Sequence, residues 1–144
     1  MNIAIITGAS SGLGKEFLKQ TDSYNFDEIW VIARQKEKLE ALRDIVHTNL
    51  KIIPLDLSLN SSFKIYEEEL KKEKPNVKLL INCAGFGKFG NYSEIPLEDS
   101  LKMIDLNCKA LVSMTEKTLP FMNEFSKILQ ICSSSSFQPL PFAN

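Results

Sequence analysis

The stretch from Thr7 to Gly14 has the residue types and order of a phosphate-binding turn. It follows a short apolar run and precedes a segment of helical character that contains Phe17 and Leu18. Glycines allow a tight turn and a close approach to a ligand, while free N–H groups at a helix start favour a pyrophosphate. A turn that binds nothing is the alternative, but the order strand, turn, helix favours a phosphate cradle. Its candidate residues are Thr7, Gly8, Ser10, Ser11, Gly12, Leu13 and Gly14.

Arg34 stands where a dinucleotide-binding protein selects its cofactor, directly after the apolar run Glu28 to Ala33. An acidic residue there would accept hydrogen bonds from a ribose 2′-hydroxyl and favour NAD. A guanidinium suits a 2′-phosphate instead, with Ser10 and Lys36 as possible helpers. The sequence therefore favours NADP (NADPH) over NAD. The alternative is that Arg34 only opens a solvated helix over Gln35 to Arg43.

Short apolar runs alternate along the chain with longer segments of helical period. That alternation is typical of βαβ units with a parallel sheet, whose strands are buried on both faces. We expect one α/β domain over residues 1–144, a Rossmann-like doubly wound parallel sheet with strand order 3-2-1-4-5. The predicted strands are Ile3 to Thr7, Glu28 to Ala33, Lys51 to Leu55, Val77 to Asn82 and Lys127 to Cys132.

Two helical segments have distinct surface patterns. The longer one, Leu97 to Met122, spaces its apolar residues four, three, four and three apart, which predicts one buried face. These residues are Leu97, Leu101, Ile104, Cys108 and Leu111. The other is the mixed charge run Glu67 to Lys74, which ends at Pro75 and is expected to be the solvated end of a helix.

The glycine spacing identifies a resemblance to one family. Gly-x-x-x-Gly-x-Gly after Thr7 is neither the general Gly-x-Gly-x-x-Gly fingerprint nor a triphosphate-binding loop with Gly-Lys-Ser/Thr. It resembles the cofactor motif of the short-chain dehydrogenases/reductases, and each expected position matches.

The resemblance extends over nearly the whole chain in the family's order. Asp56, next to Leu57, matches the aspartate that contacts the adenine ring, and Asn107 matches the asparagine that helps hold a proton-relay water. Ser133 aligns with the catalytic serine. Asn82, Ala84 and Gly85 resemble the family's Asn-Asn-Ala-Gly, with Cys83 in place of the second asparagine.

The resemblance implies carbonyl–alcohol interconversion by hydride transfer to or from NADP. In this family a tyrosine is the acid/base, a lysine four positions later lowers its pKa, and the serine orients the carbonyl. The family's spacing places that tyrosine just beyond Asn144, and none of Tyr24, Tyr66 and Tyr92 has a lysine four positions later. We therefore expect a C-terminally truncated domain that is inactive by itself.

Other features narrow the functional class. The formal net charge of −1 gives no electrostatic case for nucleic acid or acidic membranes. Three cysteines without metal-ligand spacing predict neither a disulfide framework nor a metal site, and a reducing cytoplasm fits best. Cys83 and Cys132 are expected to be buried and inert, and His47 to lie at the surface.

Several alternatives stay open. A non-catalytic NAD(P)-binding sensor would use the same cradle; a methyltransferase is weaker, because it usually requires an acidic residue where Arg34 stands. The substrate is a small carbonyl compound or alcohol, with Gly87 to Gly90 and Phe137 to Phe142 as candidate pocket loops that could equally be packing. The resemblance implies oligomerisation through the long helix, so a homo-oligomer is possible.

Overall fold

The computed structural model describes residues 1–91 and 93–138. Its strands are β1 (Asn2–Thr7), β2 (Glu28–Ala33), β3 (Leu50–Pro54), β4 (Asn76–Asn82) and β5 (Lys127–Gln130). Its α-helices are α1 (Gly12–Thr21), α2 (Lys36–Glu40), α3 (Asn60–Glu73), α4 (Leu97–Ile104) and α5 (Ala110–Thr118). A 3₁₀ turn, Ala41–Asp44, extends α2, so the predicted helix over Gln35 to Arg43 is short and partly 3₁₀.

The strands form one parallel sheet in the order β3-β2-β1-β4-β5, which confirms the predicted topology. All strands run in the same direction, but the order in which the chain adds them reverses at β1: β2 and β3 lie on one side of β1, and β4 and β5 lie on the other. The carboxyl ends of β1 and β4 are therefore neighbours at the switch point where ligands bind in such sheets.

The sheet buries an apolar layer on each face. Alternate residues of β1 enter different layers, with Ile3 and Ile5 on the face that packs against α3 and α5. Ala4 and Ile6 join the opposite layer, against α1 and α2. All four side chains are fully buried, as expected for the central strand of a doubly covered sheet.

The edge strand β5 departs from the predicted pattern. It ends at Gln130 rather than Cys132, and Ile128 and Leu129 remain 37% and 39% exposed. The expectation of burial on both faces is therefore wrong for this strand. A continuous apolar run does not distinguish a central strand from an edge strand, because position in the sheet is set by the other strands.

Helix α3 ends as the charge run predicted. Lys74 adopts the left-handed conformation at φ 45°, and its N–H donates a hydrogen bond to the carbonyl oxygen of Leu70. Pro75 follows directly. Glu67 on the solvated side accepts hydrogen bonds from Lys71 and from Lys117 of α5. These two ammonium groups hold the pKa of Glu67 at about 2.

The predicted long helix is interrupted by a π turn over Asp105–Lys109, marked by the bond from Ala110 N–H to Asp105 C=O. The expectation that its four-three spaced face is buried is wrong in the described structure. Leu97, Leu101 and Ile104 are 52% to 69% exposed. The helix instead buries Met103, Ala110, Met114 and Thr118.

Met103 and not its neighbours Leu101 and Ile104 faces the core before the π turn, and the turn changes the helical phase for the residues that follow. The π turn contains one residue more than an α-helical turn, so the side chains after Lys109 are rotated about the helix axis relative to an ideal helix. The helix carries two apolar stripes, and periodicity alone cannot tell which one faces the sheet.

The buried hydroxyl of Tyr66 provides a test of the packing between α3 and α5. It lies 2.6 Å from Thr118 Oγ1, which itself bonds the carbonyl of Met114. Tyr66→Phe should lower the free energy of unfolding by about 1 kcal/mol, because one buried hydrogen bond is lost while Thr118 keeps a partner. Urea denaturation measures this change, with the exposed Tyr24→Phe as control. Equal effects of the two substitutions would contradict the described packing.

Candidate functional site

The turn between β1 and α1 depends on the absence of side chains at two glycines. A Cβ on Gly14 would lie 2.2 Å from the carbonyl oxygen of Gly8. A Cβ on Gly8 would lie 2.8 Å from the carbonyl oxygen of Cys83, and Gly8 also has a positive φ of 69°. The turn therefore closes tightly on itself and against the end of β4.

Thr7 fastens this turn to β4. Its hydroxyl oxygen accepts hydrogen bonds from the N–H groups of Cys83 and Ala84, at 3.0 and 3.1 Å. On the other side, Gly8 N–H donates to Ile32 C=O of β2 at 2.8 Å. The loop is thus held by both strands that neighbour β1, which fixes its backbone relative to the sheet.

A cleft of 690 Å³ opens at the carboxyl ends of the strands. Most of the predicted site residues line it: Gly8, Ser10, Ser11, Gly12, Leu13, Gly14, Arg34, Asp56, Leu57, Ala84, Gly85, Asn107 and Ser133. Thr7 and Asn82 do not reach it and lie beneath it as supports. The structure therefore brings together residues from six separated parts of the sequence.

Arg34 and Asp56 form the charged end of the cleft. Within residues 1–91 and 93–138, Arg34 makes no hydrogen bond or ion pair, so its guanidinium is available to a ligand. Asp56 Oδ1 accepts hydrogen bonds from the hydroxyl and N–H of Ser58, at 2.7 and 3.0 Å. Partial burial raises the pKa of Asp56, but these bonds and the charge of Arg34 outweigh it and hold that pKa below its usual value.

Asn82 supports the cleft floor through a polar network. Its Nδ2 donates to Thr115 Oγ1 at 3.0 Å and to Gln130 Oε1 at 2.9 Å, which connects β4, α5 and β5. Gln130 Nε2 also donates to Thr115 Oγ1. These bonds join β4 to β5, although Cys83 replaces an asparagine of the family pattern.

Asn107 lies on the π turn and holds the loop that follows β4. Its Oδ1 accepts from Phe86 N–H at 3.0 Å, and its Nδ2 donates to Phe86 C=O at 2.7 Å. Gly85 leaves room for this contact, because a Cβ there would lie 3.1 Å from Asn107 Oδ1. Both polar atoms of the side chain are committed to the loop backbone.

Ser133 lies on the opposite wall of the cleft, just after β5. Its hydroxyl oxygen accepts from Ser135 N–H at 3.1 Å and makes no other hydrogen bond with a described residue. Its own proton therefore stays available to a ligand.

The two cleft cysteines differ in exposure. Cys132 is exposed because β5 ends two residues earlier than predicted, so the expectation that this cysteine is buried is wrong. Cys83 is half-buried, and burial raises the pKa of its thiol, in agreement with an unreactive role.

Sequence reasoning missed some lining residues and included others that lie elsewhere. Lys38 lines the cleft, whereas Lys36 does not. Of the candidate pocket loops, Gly87 to Gly90 and Phe137 do not line this cleft, and Pro139 to Phe142 fall outside the described residues. Gln35, Leu55, Leu106, Leu111 and Ile131 also contribute walls without a recognisable motif. His47 is exposed, as predicted.

Two further properties concern the described residues as a whole. No cluster of three or more His, Cys, Asp or Glu side chains that could hold a metal occurs within residues 1–91 and 93–138. Over the same residues, no helix combines the length and apolar character needed to cross a membrane.

The family relationship follows from comparison with known proteins. Residues 2–144 match the family described as short chain dehydrogenase. With the glycine turn, the sheet order and the cleft described above, this shows that the chain belongs to the short-chain dehydrogenase/reductase family of oxidoreductases.

Individual relatives agree with this assignment. The NADP-dependent 3-hydroxy acid dehydrogenase YdfG of Escherichia coli is 30% identical over 149 residues, covering 99% of this chain and 58% of that protein. A Sphingobium yanoikuyae short-chain dehydrogenase in complex with NADPH superimposes with a TM-score of 0.83 at 26% identity, covering 96% of this chain and 56% of that one.

A third relative is the serine dehydrogenase of Escherichia coli. It gives a TM-score of 0.81 at 29% identity, with 99% of this chain and 66% of that chain covered. An uncharacterised Staphylococcus epidermidis oxidoreductase is covered over 60% of its length. The chain thus spans about 60% of the length of such relatives.

Gly14 provides the sharpest test of the turn. Gly14→Ala should lower the free energy of unfolding by at least about 2 kcal/mol, because its Cβ meets main-chain atoms that cannot rotate away. Gly87→Ala is the matched control, since nothing lies within 4 Å of its added Cβ. Urea denaturation of both variants measures the difference. A stable Gly14→Ala protein would contradict the close approach to Gly8.

Proposed function

We propose that the intact protein is an NADP-dependent oxidoreductase that interconverts a carbonyl compound and an alcohol by hydride transfer. The observation that carries this proposal is the arrangement of the cleft. The glycine turn and an unpaired arginine form one end, and a serine with a free hydroxyl proton stands on the opposite wall. A phosphate-binding turn at one end and a polar hydroxyl at the other would suit a dinucleotide, which is extended.

The cradle fits a dinucleotide on its own geometry. Gly12 lines the cleft at φ 53°, and nothing lies within 4 Å of the position its Cβ would occupy. The backbone there is open to a pyrophosphate, next to the N-terminus of the ten-residue helix α1. Ser10, Ser11 and Leu13 would complete this contact, and Asp56 with Leu57 would bound the adenine.

Arg34 supports the choice of NADP. Its guanidinium has no acidic side chain bound to it among the described residues, and it can offer a forked pair of donors to a 2′-phosphate. Two relatives agree with this preference: one is named NADP-dependent and one was solved with NADPH. When bound, the cofactor would supply the hydride acceptor or donor.

Ser133 would orient the substrate. Since its oxygen already accepts the Ser135 N–H, the hydroxyl can donate a hydrogen bond to a carbonyl oxygen and stabilise the negative charge that develops there. Asn107 would act through position: its amide bonds both main-chain groups of Phe86, and a water held at this point would bind Asn107 itself.

The proton donor is the missing part of this reaction. Ser133 and Asn107 cannot deliver a proton at neutral pH, and the family resemblance implies a tyrosine and a lysine at positions beyond Asn144. We propose that these residues complete the site in the intact protein. The substrate is a small carbonyl compound or alcohol.

Arg34→Asp tests the cofactor preference. Replacing a charge-assisted phosphate contact should weaken NADP binding by about 1.5 to 3 kcal/mol and narrow or reverse the preference over NAD. Calorimetric titration with both cofactors measures the ratio. Lys36→Asp makes the same charge change outside the cleft and should leave the ratio unchanged. Equal affinity of the unmodified protein for NADP and NAD would overturn the assignment.

The separate roles proposed for Ser133 and for a downstream proton donor give a second test. The 144-residue chain should bind cofactor but show no NADPH oxidation with a panel of ketones and aldehydes, because a positioned proton donor contributes about 10² to 10⁴ in rate. A version extended through the implied tyrosine and lysine should be active. In that version Ser133→Ala should lower kcat by about 10² to 10³, and Ser134→Ala should not.

Two results would contradict this mechanism. Turnover by the 144-residue chain equal to that of the extended protein would show that no downstream proton donor is needed. An extended protein that binds NADPH but reduces no carbonyl compound would favour a non-catalytic dinucleotide sensor.

A further inference from the structure

Lys38 lies in the same end of the cleft as Arg34. It lines the cleft together with Ser10 and Gln35, and its side chain is exposed. Within the described part of the chain it forms no ion pair, in contrast to Lys51, Lys71, Lys88, Lys109 and Lys117. A free ammonium therefore accompanies a free guanidinium at this end of the cleft.

The orientation of Lys38 is fixed by the packing of α2. Leu39 is fully buried in the core on the α1 and α2 side of the sheet, which anchors the helix in rotation. Each residue turns an α-helix by about 100°, so Lys36 and Lys38 project from nearly opposite sides. This explains why Lys38 lines the cleft and Lys36 does not.

The charges around the cleft leave a role for a second cation. The Asp56 carboxylate interacts electrostatically with Arg34 and so offsets part of its positive charge. Glu37, between the two lysines, is exposed and does not line the cleft, and Glu40 is paired with Arg43. A phosphate monoester carries about −1.5 to −2 at neutral pH, more than one partly offset guanidinium can match.

We propose that Lys38 is a specificity-determining residue that donates to the 2′-phosphate of the cofactor beside Arg34. This inference rests on the proposed NADP dependence and adds a residue to it. Arg34 supplies the directional, forked contact, and Lys38 supplies a mobile point charge that follows the phosphate.

Two nucleotides that differ only in the 2′-phosphate isolate this contact. Adenosine 2′,5′-bisphosphate and 5′-AMP are titrated calorimetrically into the unmodified protein, Lys38→Gln, Lys36→Gln and Lys38→Arg. Glutamine removes the charge at nearly the same helix propensity, and urea denaturation verifies that each variant folds. Both glutamine variants change the net charge equally, so only the position of the charge differs.

The expected result is selective. Lys38→Gln should weaken binding of the bisphosphate about three- to tenfold and leave 5′-AMP unchanged, whereas Lys36→Gln should change neither and Lys38→Arg should retain the preference. Added salt should reduce the difference between the unmodified protein and Lys38→Gln.

Three outcomes would overturn the inference, and they separate it from the proposed function. If the unmodified protein prefers the bisphosphate but Lys38→Gln binds it equally well, Lys38 has no role and NADP dependence stands. Equal losses in Lys36→Gln and Lys38→Gln would show a general electrostatic effect rather than a contact. No preference in the unmodified protein would remove both this inference and the proposed NADP dependence.

Discussion

The close approach of the β1–α1 turn to the end of β4 is the constraint on which the rest of the site depends. A Cβ on Gly14 would lie 2.2 Å from Gly8 O, and a Cβ on Gly8 would lie 2.8 Å from Cys83 O, so neither position has space for one. The Thr7 hydroxyl oxygen closes the contact by accepting hydrogen bonds from the N–H groups of Cys83 and Ala84, which directly follow β4. Because backbone packs on backbone here, the floor of the cleft is rigid, and the N-terminus of α1 is held facing it.

From this fixed floor the two walls differ in character. The wall after β2 and β3 is charged, with Arg34, Lys38 and Asp56, while the wall after β4 and β5 carries Ser133 and neutral side chains. A ligand that is anionic at one end and reactive at the other is the natural complement. The parallel sheet produces this polarity, since every strand delivers its following loop to the same edge.

The π turn at Asp105–Lys109 serves the site at the expense of helical regularity. It presents Asn107 so that its amide holds both polar groups of Phe86, which fixes the loop after β4. π turns occur frequently at functional sites, because an extra residue redirects a side chain or a carbonyl without ending the helix. Before the turn, Leu97, Leu101 and Ile104 are exposed in the described structure.

Local patterns in the sequence were sufficient for the fold, the glycine turn and Arg34, and the family resemblance supplied other cleft residues. Glycine at positions 8, 12 and 14 is required by the backbone conformation and close packing of the turn. Buried parallel strands are recognisable in a sequence as short apolar runs. The sheet order, the glycine turn and the lining position of Arg34 could therefore be inferred from the sequence, whereas Asp56 and Ser133 were identified through the family resemblance.

What only the tertiary structure decided depends on which side of an element faces its neighbours. The choice between Lys36 and Lys38 and the buried stripe of the long helix follow from how each helix is rotated against the core, and Cys132 is exposed because β5 ends at Gln130. Leu39 anchors α2, the edge position of β5 exposes its end, and the π turn shifts the phase after Lys109. Periodicity specifies that an apolar stripe exists, but the partner that covers it is specified by packing across the whole chain.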